Sequence, residues 1–342
     1  VESRGLGDVY KRQELYRKHP EEARDSFGED PFEVKNILKY WVLSEKQEFH
    51  VIPTDTINIH IDKDALLRSG IMLPKTIRHL KGEDLKDAIP DKLYIPLTDI
   101  RMLTKVDLLM LEMLANCNWE RPLYLAISVG SVSKLKFDNY FVQEGLAFRF
   151  TPFDYKKWGD VGENRLYAVD VERLYDNVMN RYKYGGLDTP GLYLDETTLR
   201  TCWYHRRLFA QLAKELIAQG DNERAKKVLA YAEQVIPGYN VPETHESGSY
   251  DIATAYAALG EKTKAVTLAV HLIAEAEDYI NWAFSLKGNR IEMVRNDCIY
   301  KFWQWNQYNE LLKKIDGEKY KESNRQFEEK YALFAPTMNY KN

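Results

Sequence analysis

Asn116-Cys117-Asn118-Trp119-Glu120-Arg121-Pro122-Leu123-Tyr124-Leu125-Ala126 joins a helix to a strand. That junction decides the fold of the first half of the chain. Upstream, Thr104 stands as an N-cap before an apolar helical face of Val106, Leu109, Met110, Met113 and Leu114. Downstream, Leu123 to Val129 reads as a buried strand. The turn between them concentrates Trp119, Glu120, Arg121 and Pro122, a dense set of polar and aromatic groups.

Working outward, Glu48 to Asp62 alternates through Phe49, Val51, Ile57, Ile59 and Ile61, which is strand periodicity broken at Pro53-Thr54-Asp55. Asp62 caps a helix that runs to about Arg68 and stops at Gly70. Lys92 to Leu97 forms another short strand, and residues 33–44 a short helix carrying Val34, Ile37, Leu38, Trp41 and Val42. Tyr140 to Phe150 reads as a helical turn entering a strand, and Asp170 opens a helix to about Tyr182. Strands and helices mix here without a regular βαβ period, so this half is an α+β domain, expected over residues 36–195. Residues 1–35 are a charged lead-in. Val1 to Gln13 lacks apolar periodicity and reads as foreign to the protein, with the native frame expected to begin near Glu14.

From residue 196 to 342 the expectation is all helix. Phe209, Leu212, Ala213, Leu216, Gly220, Ala225, Leu229, Ala232 and Pro237 fall at the offsets of a tetratricopeptide repeat. Ile252, Ala253, Tyr256, Gly260, Ala265, Ala269 and Leu272 repeat them. The second copy lies beyond the usual period of about 34 residues, which places an insertion at 238–248. Phe302, Trp305, Tyr308, Leu312 and Ile315 form a further helical stripe, and residues 318–334 a charged closing helix.

The balance of 48 Lys and Arg against 52 Asp and Glu, with no basic stripe, excludes nucleic acid as a partner. Three cysteines without a CxxC form neither a zinc pattern nor a disulfide framework. No run of 18 apolar residues exists. The seven histidines show no HxxxH or HExxH spacing, and no phosphate loop or GxSxG elbow occurs. No metal, cofactor or catalytic residue is therefore expected. His60 with Asp62 and Asp64 suits a helix start better than a metal.

The remaining candidates are ligand-binding ones. Trp119, Arg121, Tyr140, Glu144 and Arg149 place a charged pair beside aromatic groups, which suits a sugar or a peptide, or equally a structural ion pair. His205 and Arg206, with Arg207, could meet an anion or a peptide from a helical face, or pack across it. Glu144 and Asp195 are the carboxylates to which an enzymatic reading would turn, although Asp195 before Thr197 suits a helix cap.

Several blocks together carry a family resemblance: Asn118-Trp119-Glu120-Arg121-Pro122-Leu123-Tyr124; Tyr140-Phe141 with Glu144-Gly145-Leu146 and Arg149; Tyr175-Asp176-Asn177-Val178-Met179; and Tyr193-Leu194-Asp195-Glu196 with Arg200, Arg206 and Phe209. The chain resembles, over residues 36–285, the C-terminal soluble part of the bacterial membrane proteins called domain of unknown function 2723, a family similar to protein O-mannosyltransferases. Cys117 departs from the Asn-Asn expected before the tryptophan. The resemblance implies a missing N-terminal membrane domain that carries the catalytic acids of a glycosyltransferase. It also implies a place on the periplasmic face of the bacterial inner membrane, and a protein or glycan acceptor as partner. The alternative is a free-standing tetratricopeptide scaffold for protein–protein interaction, with His205, Arg206 and Gln211 lining its groove.

Overall fold

The computed structural model describes residues 14, 18, 20–45, 50, 52, 54–98, 100, 102–129, 135, 137–162, 167–286 and 290–338. The expected foreign stretch 1–13 and the alternation at Phe49 and Val51 lie outside them. The chain forms two compact units, Val1–Asp170 and Val171–Asn342. The first is α+β and the second is all-helical.

The first unit opens with α1 (Pro20–Phe27), where a solvated lead-in was expected. Its last residue explains the order: the buried Phe27 ring stacks on Trp41 at 6.0 Å. Trp41 sits in a π-helical turn that extends α2 (Val34–Ile37). Strand β1 (Thr56–His60) pairs antiparallel with β2 (Lys92–Pro96), with Ile57 opposite Ile95 and Ile59 opposite Leu93. These four side chains are buried, while Tyr94 on β2 faces outward at 59% exposure. Asp62 caps α3 (Lys63–Arg68) through the Ala65 amide, and Gly70 closes it with φ +63°. Helix α4 (Gly82–Ala88) lies on the surface before β2 and buries none of its residues.

Helix α5 (Lys105–Asn116) starts with a capping box: the Thr104 hydroxyl accepts from the Asp107 amide, and Asp107 accepts from the Thr104 amide at 2.7 Å. This corrects the expected face. Asp107, Leu111, Leu114 and Ala115 are buried, whereas Val106, Leu109 and Met113 are about half exposed. The helix is apolar nearly all round, so two stripes satisfied the same period. The capping box turns Asp107 inward and with it the stripe at 111, 114 and 115.

A second sheet has the order β3-β5-β4-β6, from Tyr124–Ala126, Ala147–Phe150, Phe141–Gln143 and Ala168–Val169. The β4–β5 pair is an antiparallel hairpin that follows a single 3₁₀ turn at Asp138–Tyr140. Strand β3 is shorter than expected and is not buried, because it forms the edge of this sheet. Tyr124 on it is 49% exposed, and the chain turns away after Ala126. One core joins both sheets with α2, α3 and α5, through residues such as Ile37, Ile59, Leu66, Leu111, Phe150 and Phe153.

In the second unit α6 (Val171–Asp176) runs into a π-helical turn to Arg181. Asp195 then caps α7 (Glu196–Ala218), which pairs with α8 (Asn222–Val235). Helices α9 (Ser249–Ala258) and α10 (Lys262–Ser285) form the next hairpin. After the short α11 (Arg290–Met293), α12 (Arg295–Ile315) packs on α10, and α13 (Gly317–Met338) packs on α12.

The two hairpin turns are built alike. Gly220 and Gly260 adopt φ +80° and +77°. The residue after each reaches back to a helical carbonyl, Asp221 to Leu216 and Glu261 to Tyr256, both at 2.9 Å. This is the Schellman closure, which favours glycine at the left-handed position. Ala213 and Ala225, then Ala253 and Ala265, are fully buried, so each hairpin's helices approach closely. The segment between α8 and α9 runs over residues 236–248.

Candidate functional site

The turn after α5 has the most unusual backbone among the described residues. Asn118 and Trp119 are its non-glycine residues of positive φ among those described, at +49° and +59°. Asparagine tolerates that region; tryptophan pays about 1–2 kcal/mol for it. The return is burial of the indole, which stays 6% exposed. Its Nε1 donates to the His60 carbonyl at 2.8 Å, and its ring stacks on Phe150 at 6.5 Å. Trp119 thus joins β1 to β5 and is not open to a ligand. Arg121 is exposed and borders the same small cavity as Trp119 and Arg149.

Arg149 and Glu144 form the expected pair, but deep inside. Arg149 is 3% and Glu144 6% exposed. Their closest atoms are 3.7 Å apart. The Arg149 Nη2 donates to the Ser69 carbonyl at 2.9 Å and to the Ser69 hydroxyl at 2.8 Å. Tyr124 donates to Glu144 at 2.8 Å. Arg149 therefore ties β5 to the end of α3. Its buried Nε has no hydrogen-bond partner. The adjoining cavity, lined by Ser69, Cys117, Trp119 and Phe150, measures only about 10 Å³. That is the size of a single water, so no sugar enters there.

Tyr140 leads elsewhere. Its ring stacks on the other aromatic neighbour of the cluster, Phe150, at 6.1 Å. It also lines a cavity of about 270 Å³ with Tyr94, Thr98, Asn139, Asp154 and Lys157. Asp154 is 9% exposed. It accepts from the Lys157 amide at 3.2 Å, and the Lys157 Nζ lies 3.4 Å away. Burial, with the Asp154 charge beside it, raises the Tyr140 phenol above its ordinary value, so the hydroxyl stays protonated. Tyr94, Asn139 and Asp154 escaped sequence reasoning. Tyr94 has only the outward phase of a short strand to mark it, and Asp154 follows β5 without any motif.

His205 and Arg206 belong to the helical unit. The His205 ring meets Tyr182 at 5.8 Å and Tyr184 at 5.4 Å, both edge-on. Burial lowers its pKa, so it is neutral at physiological pH. Arg206 is 3% exposed. Its Nη1 donates to the Pro242 carbonyl at 2.8 Å and the Ser247 hydroxyl at 3.0 Å. Its Nη2 donates to the carbonyls of Ile236 at 3.1 Å and Val241 at 2.5 Å. Both terminal nitrogens are thereby committed to the inserted segment. Burial brings its guanidinium down to about 10, still charged at neutral pH. The structure thus brings Trp119, Tyr140, Glu144 and Arg149 around β5, while His205 and Arg206 sit on α7.

The remaining chemistry is quiet. Asp195 accepts from the Thr197 and Thr198 amides and from the Thr198 hydroxyl at 2.6 Å. That hydroxyl, then the amides, hold its carboxyl below the ordinary range. The cap therefore stabilises α7 above that range and is lost as pH falls through the folded value. Asp62 serves α3, and Asp64 pairs with Lys86 at 2.8 Å. Cys117, Cys202 and Cys298 are buried free thiols, and burial pushes all three up, away from the reactive thiolate.

No described helix is long and apolar enough to cross a membrane. No curated protein and no solved structure matches the chain. One family model does, beginning at residue 8 and spanning nearly all of the first compact unit. Over residues 8–172, which hold the Trp119 turn, the Arg149–Glu144 pair and the Tyr140 pocket, the chain is similar to the family described as TMEM260-associated domain 2.

Proposed function

We propose that this chain is a non-catalytic, extracytoplasmic region of a multi-spanning membrane glycosyltransferase-like protein, in which it holds an acceptor or braces the membrane core. The family match over residues 8–172 carries this proposal. Two of the blocks that resemble domain of unknown function 2723, Asn118–Tyr124 and Tyr140–Arg149, fall inside that match. The side-chain geometry supports a role without catalysis. Glu144 is held by Tyr124 and Arg149, and Asp195 is spent on a helix cap. In this proposal the region lies on the periplasmic face of the bacterial inner membrane. The α7–α10 hairpins, with tetratricopeptide-like spacing, would add a surface for protein.

The test is turnover by the purified chain, followed by mass spectrometry with nucleotide sugars, polyprenyl-phosphate sugars and aryl glycosides. No transfer and no hydrolysis is the expected result. Turnover that disappears in Glu144→Gln or Asp195→Asn would make the chain an enzyme in its own right.

A second reading has an observation of its own. Tyr300 and Trp303 on α12 stack at 5.6 Å, with 11° between their planes. Both are nearly half exposed beside His245. An open aromatic pair on a helical-hairpin array suits a free-standing scaffold for protein partners.

A further inference from the structure

The cavity beside Tyr140 has the composition of a ligand site, which the Arg149–Glu144 pair lacks. Its floor is apolar, from the buried Ile95 and Phe137. Tyr94, Thr98, Tyr140 and Asn139 also line the cavity, which brings three hydroxyl side chains and a side-chain amide to the pocket wall. Among the described residues none of these four groups makes a side-chain hydrogen bond. A pocket that presents several free donors and acceptors over an apolar base is arranged for a ligand with matching polar groups.

Charge narrows the class. Among the described residues Asp154 is the pocket's buried carboxylate, and the Lys157 amide and ammonium partly answer it. A carboxylate in the wall repels phosphate and carboxylate ligands. A neighbouring ammonium removes the unpaired negative charge that, with aromatic faces, would draw a quaternary ammonium. What remains is a neutral ligand rich in hydroxyl groups. Asp154 keeps lone pairs free to accept from it, and the aromatic side chains suit its C–H faces. The volume of about 270 Å³ holds one sugar ring and its bound water rather than an extended chain.

We propose that the pocket formed by Tyr94, Asn139, Tyr140 and Asp154 binds a neutral carbohydrate, one pyranose ring at a time. Tyr140 is set for this by its stack on Phe150, and Tyr94 by its outward position on β2. The inference stands on the first unit alone and needs no membrane partner. Its failure would leave the proposed function untouched, and glycosyl turnover would leave the pocket untouched.

The experiment is saturation-transfer difference NMR on the full chain. The probes are the methyl glycosides of glucose, mannose, galactose and N-acetylglucosamine, with tetramethylammonium as the cationic comparator. Tyr140→Phe removes one hydroxyl and keeps the stacked ring, and Tyr94→Ala alters an exposed position. A thermal melt of each variant checks that it folds. Transfer to at least one glycoside, weakened about tenfold in either folded variant, is expected. No transfer to any glycoside, transfer unchanged in both variants, or transfer to tetramethylammonium instead would overturn the proposal.

Discussion

Arg206→Ala will destabilise the helical unit by about 3–5 kcal/mol, a fall in melting temperature on the order of 10 °C. The cause is the set of acceptors it leaves behind. The carbonyls of Ile236, Val241 and Pro242 and the hydroxyl of Ser247 converge on one guanidinium. Each hydrogen bond to a charged group contributes about 1.5–3 kcal/mol, and the desolvation of the guanidinium offsets part of the sum. Without Arg206 the segment between α8 and α9 loses its central tether. That segment also holds the 187–189 stretch through Asn240, whose amide donates to Leu187 and Thr189 at 2.7 and 2.6 Å. Lysine offers one ammonium in place of a planar fork, so Arg206→Lys should recover about half of the loss. Urea unfolding followed by far-ultraviolet circular dichroism measures both. A ligand-binding arginine would behave differently, since its removal would leave the unfolding midpoint in place.

Arg149→Ala is the second large effect, at about 3–5 kcal/mol in the α+β unit. The substitution removes the link from β5 to Ser69 and takes a buried cation from beside the buried Glu144 carboxylate. Glu144→Gln should cost less, about 1–3 kcal/mol: the buried Arg149 loses its counter-charge, but Ser69 still holds it and the amide oxygen still accepts from Tyr124. Arg121→Ala on the exposed turn should stay within about 0.5 kcal/mol. Tryptophan fluorescence in a denaturant series separates these three, since Trp119 sits beside the same strand. Equal costs for Arg121 and Arg149 would mean that the buried pair contributes nothing to the fold.

Local chemistry made much of the architecture legible. Asp62, Thr104 and Asp195 each cap the helix expected of them, because a cap is decided by a few adjacent residues. The apolar positions of the two spaced sets, Phe209 to Ala232 and Ile252 to Leu272, are buried, while Gly220 and Gly260 sit exposed at the hairpin turns. The failures were questions of which face or which partner. Helix α5 offered two apolar stripes, and β3 could not announce that it would be an edge. For the site, Arg149 meets Ser69 across 80 residues of sequence, a distance at which no spacing rule operates. Arg206 did carry a signal. Cys202, Arg206, Phe209, Ala213 and Leu216 share one helical stripe, so the arginine falls on the buried side of α7. The basic run His205-Arg206-Arg207 drew attention to charge instead. The Tyr94–Asp154 pocket had no sequence signal, since three separate segments build it.

The proposal that this chain serves a membrane glycosyltransferase-like protein is tested most directly upstream of it. Long-read sequencing of the genomic DNA before the codon for Glu14 should show a continuous reading frame encoding several apolar segments of about 20 residues. A stop codon followed by an independent start, with no such segments in frame, would contradict it and leave the scaffold reading in its place.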